Sequence, residues 1–172
     1  MGAEMNANIS VDLDAGKGPV NLEVTSQNSQ ASVQAKMDNG ILQLNKDAQA
    51  RLILTPHMIK ILEKFYPLLE GVNGAENPII VTIGAKGTSI PILPLDIAKI
   101  NVGESNLELG KLRFSSSNTF SPLLKILKTG TDTRNINVWF SILRIYIQNG
   151  IMTIKRTDAL LDSKVHIATW GK

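Results

Sequence analysis

The side chains that could carry out acid–base or metal chemistry are few and widely spaced in this sequence of 172 residues. Its only histidines are His57 and His166, and neither has a carboxylate at metal-ligand spacing. Asp12 and Asp14 would share one face of a strand, where paired carboxylates can act as acid and base. Aspartate is also ordinary beside a turn such as the one expected at 16–19. The chain has no cysteine, which excludes disulfides, thiol nucleophiles and cysteine-containing zinc sites.

The remaining short motifs do not complete a catalytic site. Gly16-Lys17-Gly18 lacks the spacing and the following Lys-Ser/Thr of a phosphate-binding loop. The serines at 115–117 precede no glycine elbow. Residues 158–162, with an aspartate at each end, are predicted to form a loop. We therefore predict no catalytic residue, no metal site and no cofactor.

The composition favours one folded, aliphatic domain. Hydrophobic residues make up 43% of the chain and aromatic residues only 5%. This composition argues against general disorder and predicts a core built from Ile, Leu and Val. The net charge is +3 without a basic, aromatic-interleaved cluster, which argues against nucleic acid as a partner. No run approaches the ~20 apolar residues of a membrane span. We predict a single β-rich domain over residues 1–172, cut from a longer protein.

Two Asn-Gly dipeptides predict tight hairpin turns, at Asn39-Gly40 and Asn149-Gly150. Both residues of a type I′ turn need a positive φ, which Asn and Gly tolerate. The sequence before the first turn alternates apolar and polar residues, which predicts a meander of antiparallel strands with one apolar face. Further strands are predicted at 79–83, in a hairpin of 99–102 with 106–114, and as an extended edge segment at 90–95, where two prolines disfavour a central strand.

Two short amphipathic helices should interrupt these strands. The first has Thr55 as its N-cap, Pro56 at its first position, apolar residues from 59 to 69 and a stop at Gly71. The second begins with Ser121-Pro122 and ends before Gly130. The predicted class is α+β: a mostly antiparallel, curved sheet, either a β-groove or sandwich-like, with two short amphipathic helices.

The strand before the second Asn-Gly turn is unusually apolar, and its periodicity shifts. Val138, Phe140 and Ile142 share one parity, whereas Leu143 and the isoleucines after it share the other. A bulge near 142–143 would keep both sets on one side of the sheet; without a bulge, both faces would be apolar. These side chains either fill a core or line a surface for apolar ligands. The candidate lipid-binding residues are Val138, Phe140, Ile142, Ile145, Ile147 and Met152.

The segment 145–152, continuing through 158–162 to 165–172, resembles the C-terminal region of AsmA-like proteins. In that family a strand ending in Asn-Gly turns into a second strand, followed by a short leucine-containing segment and a strand that ends in glycine. The stretch from 100–103 through 107–110 to 121–124 is similar to the family's hairpin and short helix. The resemblance covers about the last 75 residues, and alternation with Asn-Gly occurs in many sheet proteins.

The resemblance implies a protein of the bacterial cell envelope on the periplasmic side of the inner membrane. Such a protein would shield phospholipid or another acyl lipid on an apolar β-groove and carry it toward the outer membrane. The family's N-terminal membrane helix, its anchor in the inner membrane, is absent from this sequence. Other envelope proteins or a second copy would be further partners.

Three functions remain open at this point. The first is a lipid-binding or lipid-transfer module. The second is a structural or assembly domain in which the edge segment at 90–95 adds a strand to a partner protein. The third is an enzyme, which the missing catalytic constellations disfavour.

Overall fold

The structure is a computed structural model that describes residues 4–64, 71–115, 135–162 and 165–172. Within these ranges the chain is almost entirely β-structure, with one α-helix and one short 3-10 turn at Ile97–Lys99. The helix is α1 (Pro56–Leu62). The strands are β1 (Met5–Val11), β2 (Lys17–Ser26), β3 (Ser29–Asp38), β4 (Ile41–Leu44), β5 (Ala48–Leu52), β6 (Val72–Ala75), β7 (Ile79–Ile83), β8 (Ser89–Pro91), β9 (Val102–Glu108), β10 (Lys111–Ser115), β11 (Asn135–Phe140), β12 (Leu143–Gln148), β13 (Ile151–Leu161) and β14 (Val165–Gly171).

The strands form one open, curved antiparallel sheet in which neighbours in the chain are neighbours in space. β1, β2 and β3 pair in succession. Each of the next four rows of the sheet consists of strands that follow one another in the chain, end to end. These rows are β4 with β5, then β6 to β8, then β9 with β10, then β11 with β12. β13 pairs along both β12 and β11, and β14 pairs with β13. The predicted mostly antiparallel, curved sheet is confirmed.

The prediction of two amphipathic helices is not borne out in the described residues, which contain one. Thr55 caps α1 as predicted, because its Oγ1 accepts a hydrogen bond from the Met58 backbone N–H at 3.3 Å, and Pro56 occupies the first turn. The helix ends at Leu62, so the predicted continuation over 65–69 lies outside the described residues. The second predicted helix, from Ser121, lies outside them as well.

Both Asn-Gly turns form as predicted. Asn39 and Gly40 have φ of 49° and 79°, and Asn149 and Gly150 have φ of 51° and 74°. The first turn joins β3 to β4 and the second joins β12 to β13. The positive φ at both positions of each turn is the type I′ signature, and it fixes the register of the strands on either side.

Alanine substitutions at three glycines should separate conformational strain from steric conflict. Gly74→Ala has open space and an ordinary φ, Gly16→Ala has open space but a φ of 80°, and Gly40→Ala adds a collision with the Leu93 carbonyl oxygen. We expect little change for Gly74→Ala, a loss of about 1 kcal/mol for Gly16→Ala and a loss of 2 kcal/mol or more, roughly, for Gly40→Ala. Urea denaturation of the three variants measures these losses of unfolding free energy. Equal losses at Gly16 and Gly40 would contradict the close approach of Gly40 to the Leu93 carbonyl oxygen.

A crease crosses the C-terminal part of the sheet where the paired segments break together, at 76–78, 109–110 and 141–142. β11 ends at Phe140 and β12 begins at Leu143. Between them Ser141 makes two hydrogen bonds to the backbone of Asp158: its N–H donates to the Asp158 carbonyl, and its Oγ accepts from the Asp158 N–H, each at 2.8 Å. The break supplies the parity shift expected of a bulge near 142–143: Val138 and Phe140 reach the core together with Leu107, the partner of Leu143. Ile142 lies outside the core and is 41% exposed.

Two local predictions are wrong. Residues 99–102 and 106–114 do not form a hairpin, because β9 and β10 follow one another in a single row of the sheet. β9 pairs with β7 and β12, and β10 pairs with β6 and β11. Gly103 serves a close backbone approach instead, since a Cβ there would collide with the Lys86 carbonyl oxygen. Residues 158–161 are not a loop but the end of β13, and the chain turns only at Asp162, whose φ is 43°.

The core lies at the crease, between α1 and the sheet. Ile59 of α1 packs there with buried residues of β6, β7, β10, β11 and β13. Leu112 is the largest fully buried side chain, at 2% exposure. The buried cluster consists of Leu54, Ile59, Val72, Ile79, Leu112, Phe114, Val138, Ala159 and Leu161.

Candidate functional site

One side of the sheet is apolar from β1 to β13. Residues opposite each other in antiparallel strands point to the same side, as do residues two apart along one strand. The pairing carries this side across the sheet, for example from Ile9 to Leu22 and on to Val33. We call this side the apolar face. Its members are Ala7, Ile9, Val11, Val20, Leu22, Val24, Ala31, Val33, Ala35, Met37, Leu42, Leu44, Ala48, Ala50, Leu52, Ile79, Val81, Ile83, Leu107, Leu143, Ile145, Ile147, Met152 and Ile154.

The opposite side, the polar face, carries amides, hydroxyls and charges at the alternate positions. The same pairings join Asn8 to Glu23, Asn21 to Gln34 and Thr82 to Asn106. A sheet with one solvated face normally buries the other against a second layer. The question raised by this fold is therefore which part of the apolar face is covered.

Only the part of the apolar face near the crease joins the core. Leu52, Val81 and Leu107 pack against the buried cluster there. Away from it, the large apolar side chains keep solvent-accessible surface. We call this the open part of the apolar face. Its large members are Ile9, Val11, Val20, Leu22, Val24, Val33, Met37, Leu42, Leu44, Ile83, Leu143, Ile145, Ile147, Met152 and Ile154.

The open part is wide enough for an acyl chain. The path β1-β2-β3-β5-β7-β9-β12-β13 contains eight strands, which at about 4.8 Å spacing extend for about 34 Å. Half of a bilayer's hydrocarbon core, the depth that one acyl tail fills, is about 15 Å. The members are aliphatic side chains or methionines, so the surface offers contact area without hydrogen-bonding groups.

The structure separates the six candidate residues into two sets. Ile145, Ile147 and Met152 lie together on the open part, with Ile147 opposite Met152 and the Met152 side chain 48% exposed. Val138 is 8% exposed within the core, and Phe140 packs against it. Ile142 lies in the break at the crease and lines a cleft there. The six candidates include no residue from the N-terminal half of the open part. Its period-two alternation and the Asn39-Gly40 turn are the sequence features that indicate an apolar face there.

The polar face holds an ion cluster that sequence spacing did not reveal. His166 Nε2 lies 2.8 Å from Asp158 Oδ1, and Arg156 Nη2 lies 2.9 Å from the same oxygen. The pairing of β13 with β14 brings these residues together across a register shift between Ile154 and Thr157. Ser141 Oγ is engaged by the Asp158 backbone N–H, so its hydroxyl maintains the crease.

The electrostatics of this cluster favour the ionised form of the Asp158 carboxylate. The hydrogen bond from Arg156 lowers the pKa of Asp158 below its ordinary value of 3.8, with a smaller contribution from the charge of His166. The lowered pKa means that any stability the ionised form provides is present above the unfolded pKa and is lost as the pH falls through the folded one. Lys155 lowers the pKa of Glu104 in the same way, across 2.6 Å. A general acid or base would need a pKa near neutrality, which neither carboxyl approaches.

A cleft of about 650 Å³ opens at the crease beside this cluster, lined by Trp139, Ile142, Arg144 and Arg156 among others. Arg156 is already engaged by Asp158, and Lys155, which also lines the cleft, by Glu104. Among the described residues, no three His, Cys, Asp or Glu side chains converge in a way that could hold a metal ion. The same residues include no helix of the length and apolarity needed to cross a membrane.

Comparison of the chain with family models, with curated proteins and with solved structures found no match.

Proposed function

We propose that this chain is a non-catalytic lipid-binding or lipid-transfer module that shields acyl chains on the open part of its apolar face. The observation that supports the proposal is the continuity of this face: eight neighbouring strands present aliphatic side chains on one side, and the large ones away from the crease keep exposed surface. Exposed apolar patches of this extent typically mark sites of interaction. The resemblance to AsmA-like proteins supports a place on the periplasmic side of the bacterial inner membrane.

The energetics suit a carrier of hydrocarbon. Each methylene moved into water costs ~0.8 kcal/mol, so a sixteen-carbon chain would cost on the order of 10 kcal/mol. A trough of aliphatic side chains removes most of this barrier without hydrogen bonds or catalysis. Binding removes apolar surface of the acyl chain from water. It also removes from water the side chains of the open part, which are hydrated in the empty protein, and both changes favour binding.

Lipid copurified with the protein is the test. We expect native mass spectrometry of the chain, expressed in bacteria and purified without detergent, to show a fraction of molecules with one or more phospholipids bound. Organic extraction and lipid analysis would then identify the head group and chain length. A lipid-free protein that forms a defined oligomer would instead favour the assembly-domain alternative, in which the apolar face is buried between copies.

A further inference from the structure

A loop at one end of the sheet presents three large aliphatic side chains to solvent. It comprises residues 92–97, which we call the rim loop. Leu93, Leu95 and Ile97 are 71%, 65% and 67% exposed. Ile151, in the strand that follows the Asn149-Gly150 turn, is exposed beside the loop. Exposed side chains of this size are common singly, but three within five residues form a hydrophobic patch.

The rim loop is clamped by both Asn-Gly turns. The N–H groups of Ile92 and Leu93 donate to the Gly40 carbonyl at 2.7 and 3.1 Å, and the Gly150 N–H donates to the Ile100 carbonyl at 2.9 Å. Gly40 and Gly150 lie so close beneath the loop that a Cβ on either would collide with the Leu93 or Ile97 carbonyl oxygen. The backbone of the loop is therefore held in place before any partner arrives, which lowers the entropic cost of binding.

Several polar groups of the rim loop are engaged within the protein, and its flanks include prolines without an N–H. Pro91 and Pro94 have no N–H, and the N–H groups of Ile92 and Leu93 are already used. The Asp96 carboxylate accepts from the Ala98 N–H at 3.1 Å and pairs with Lys99 at 2.9 Å, so the only charged groups of the loop region cancel. A partner strand needs free backbone donors and acceptors at an edge. Hydrocarbon requires the opposite, backbone groups that are satisfied internally.

From these features we infer that the rim loop inserts Leu93, Leu95 and Ile97 into the interfacial layer of a phospholipid bilayer. The pairing of Leu42 with Ile90 carries the apolar face up to the base of this loop, so docking would bring the bilayer to the open part. The inference rests on the proposed function for its purpose, but insertion itself is measured separately from lipid uptake. Because Asp96 and Lys99 cancel, insertion requires no anionic lipid.

A fluorescent label on the rim loop tests insertion directly. The chain has no cysteine, so Leu95→Cys can be labelled at one site with the environment-sensitive dye NBD. We expect a blue shift and a several-fold rise in emission on adding phosphatidylcholine vesicles, little changed by salt. The matched control is Gln27→Cys in the exposed turn between β2 and β3, at the opposite end of these strands, which should not respond. Vesicle binding without a response at residue 95 would overturn the inference.

Substitution of the patch gives a second, independent measurement. The triple variant Leu93→Ser, Leu95→Ser and Ile97→Ser should fold, because these side chains are exposed, and should lose about a hundredfold or more in vesicle partitioning by flotation. The control variant carries serine at Ile53, Ile61 and Trp170, which are also exposed and belong neither to the apolar face nor to the rim loop, and should keep docking. Equal losses in both variants, or loss of an oligomer instead of vesicle binding, would contradict bilayer insertion. If the rim loop responds to vesicles while the wild type carries no lipid, the proposed function fails and the docking surface stands.

Discussion

Replacing Ile83 with aspartate is expected to lower lipid occupancy about a hundredfold or more while the sheet still forms. Ile83 lies on β7, the fifth strand along the open part, between the small residues Ala48 and Ser105. Its side chain keeps 36% exposure, so the empty protein can hydrate a carboxylate there. A bound acyl chain would displace that water, and leaving a carboxylate unpaired against hydrocarbon costs several kcal/mol, roughly.

The matched control is Thr82→Asp, one residue earlier on the same strand and on the polar face, where its neighbours are Gln49 and Asn106. This variant adds the same charge to the same strand and should retain lipid. Native mass spectrometry of both proteins measures occupancy, and far-UV circular dichroism confirms that each contains the sheet. If Ile83→Asp unfolds, the neutral Ile83→Asn serves as the second variant. Full occupancy in a folded Ile83→Asp protein would mean that lipid does not lie on this face.

Leu112→Ala is expected to cost 2–5 kcal/mol, roughly, of unfolding free energy, the range for a large-to-small change in a packed core. Leu112 is fully buried between Ala75 and Val138, in the cluster beneath α1. Leu22→Ala on the open part should cost about 1 kcal/mol, because only part of its side chain is removed from water. Chemical denaturation of the two variants measures the difference. Similar costs at both positions would show that the apolar face near β2 is packed as tightly as the core, and would contradict an open surface.

Local chemistry predicted the turns and the strand pattern from the sequence. Asn39-Gly40 and Asn149-Gly150 were recognisable because a type I′ turn needs two positive φ angles, a requirement met within two residues. The capping of α1 by Thr55 is equally local. The shift in parity between Phe140 and Leu143 left two possibilities, and the break at the crease lets Phe140 reach the same core as the strand that pairs with Leu143.

Pairing between distant segments could not be predicted in the same way. Gly103 resembles a turn residue in the sequence, whereas in the structure the close carbonyl oxygens of Lys86 and Gly84 leave no room for a Cβ there. The contact between Asp158 and His166 depends on the register of β13 with β14, which changes at a bulge within β13. The candidate lipid surface was placed around Val138 and Phe140 because their strand is the most apolar. The apolar strand at the crease packs into the core, whereas the strands around Leu22 and Val33, which alternate apolar and polar residues, form the open part of the apolar face.

The meander also has a consequence for how the length of this sheet can change. Because each row of the sheet, made of one to three consecutive strands, pairs with the rows before and after it in the chain, adding or removing one hairpin leaves every other pairing intact. Two extra strands would lengthen the sheet by about 10 Å. Because side chains alternate between the two faces along each strand, the apolar residues of the new strands would stay on the same side. The span of such a protein can therefore grow in whole hairpins by duplication of short stretches of sequence, without redesign of the packing at the crease.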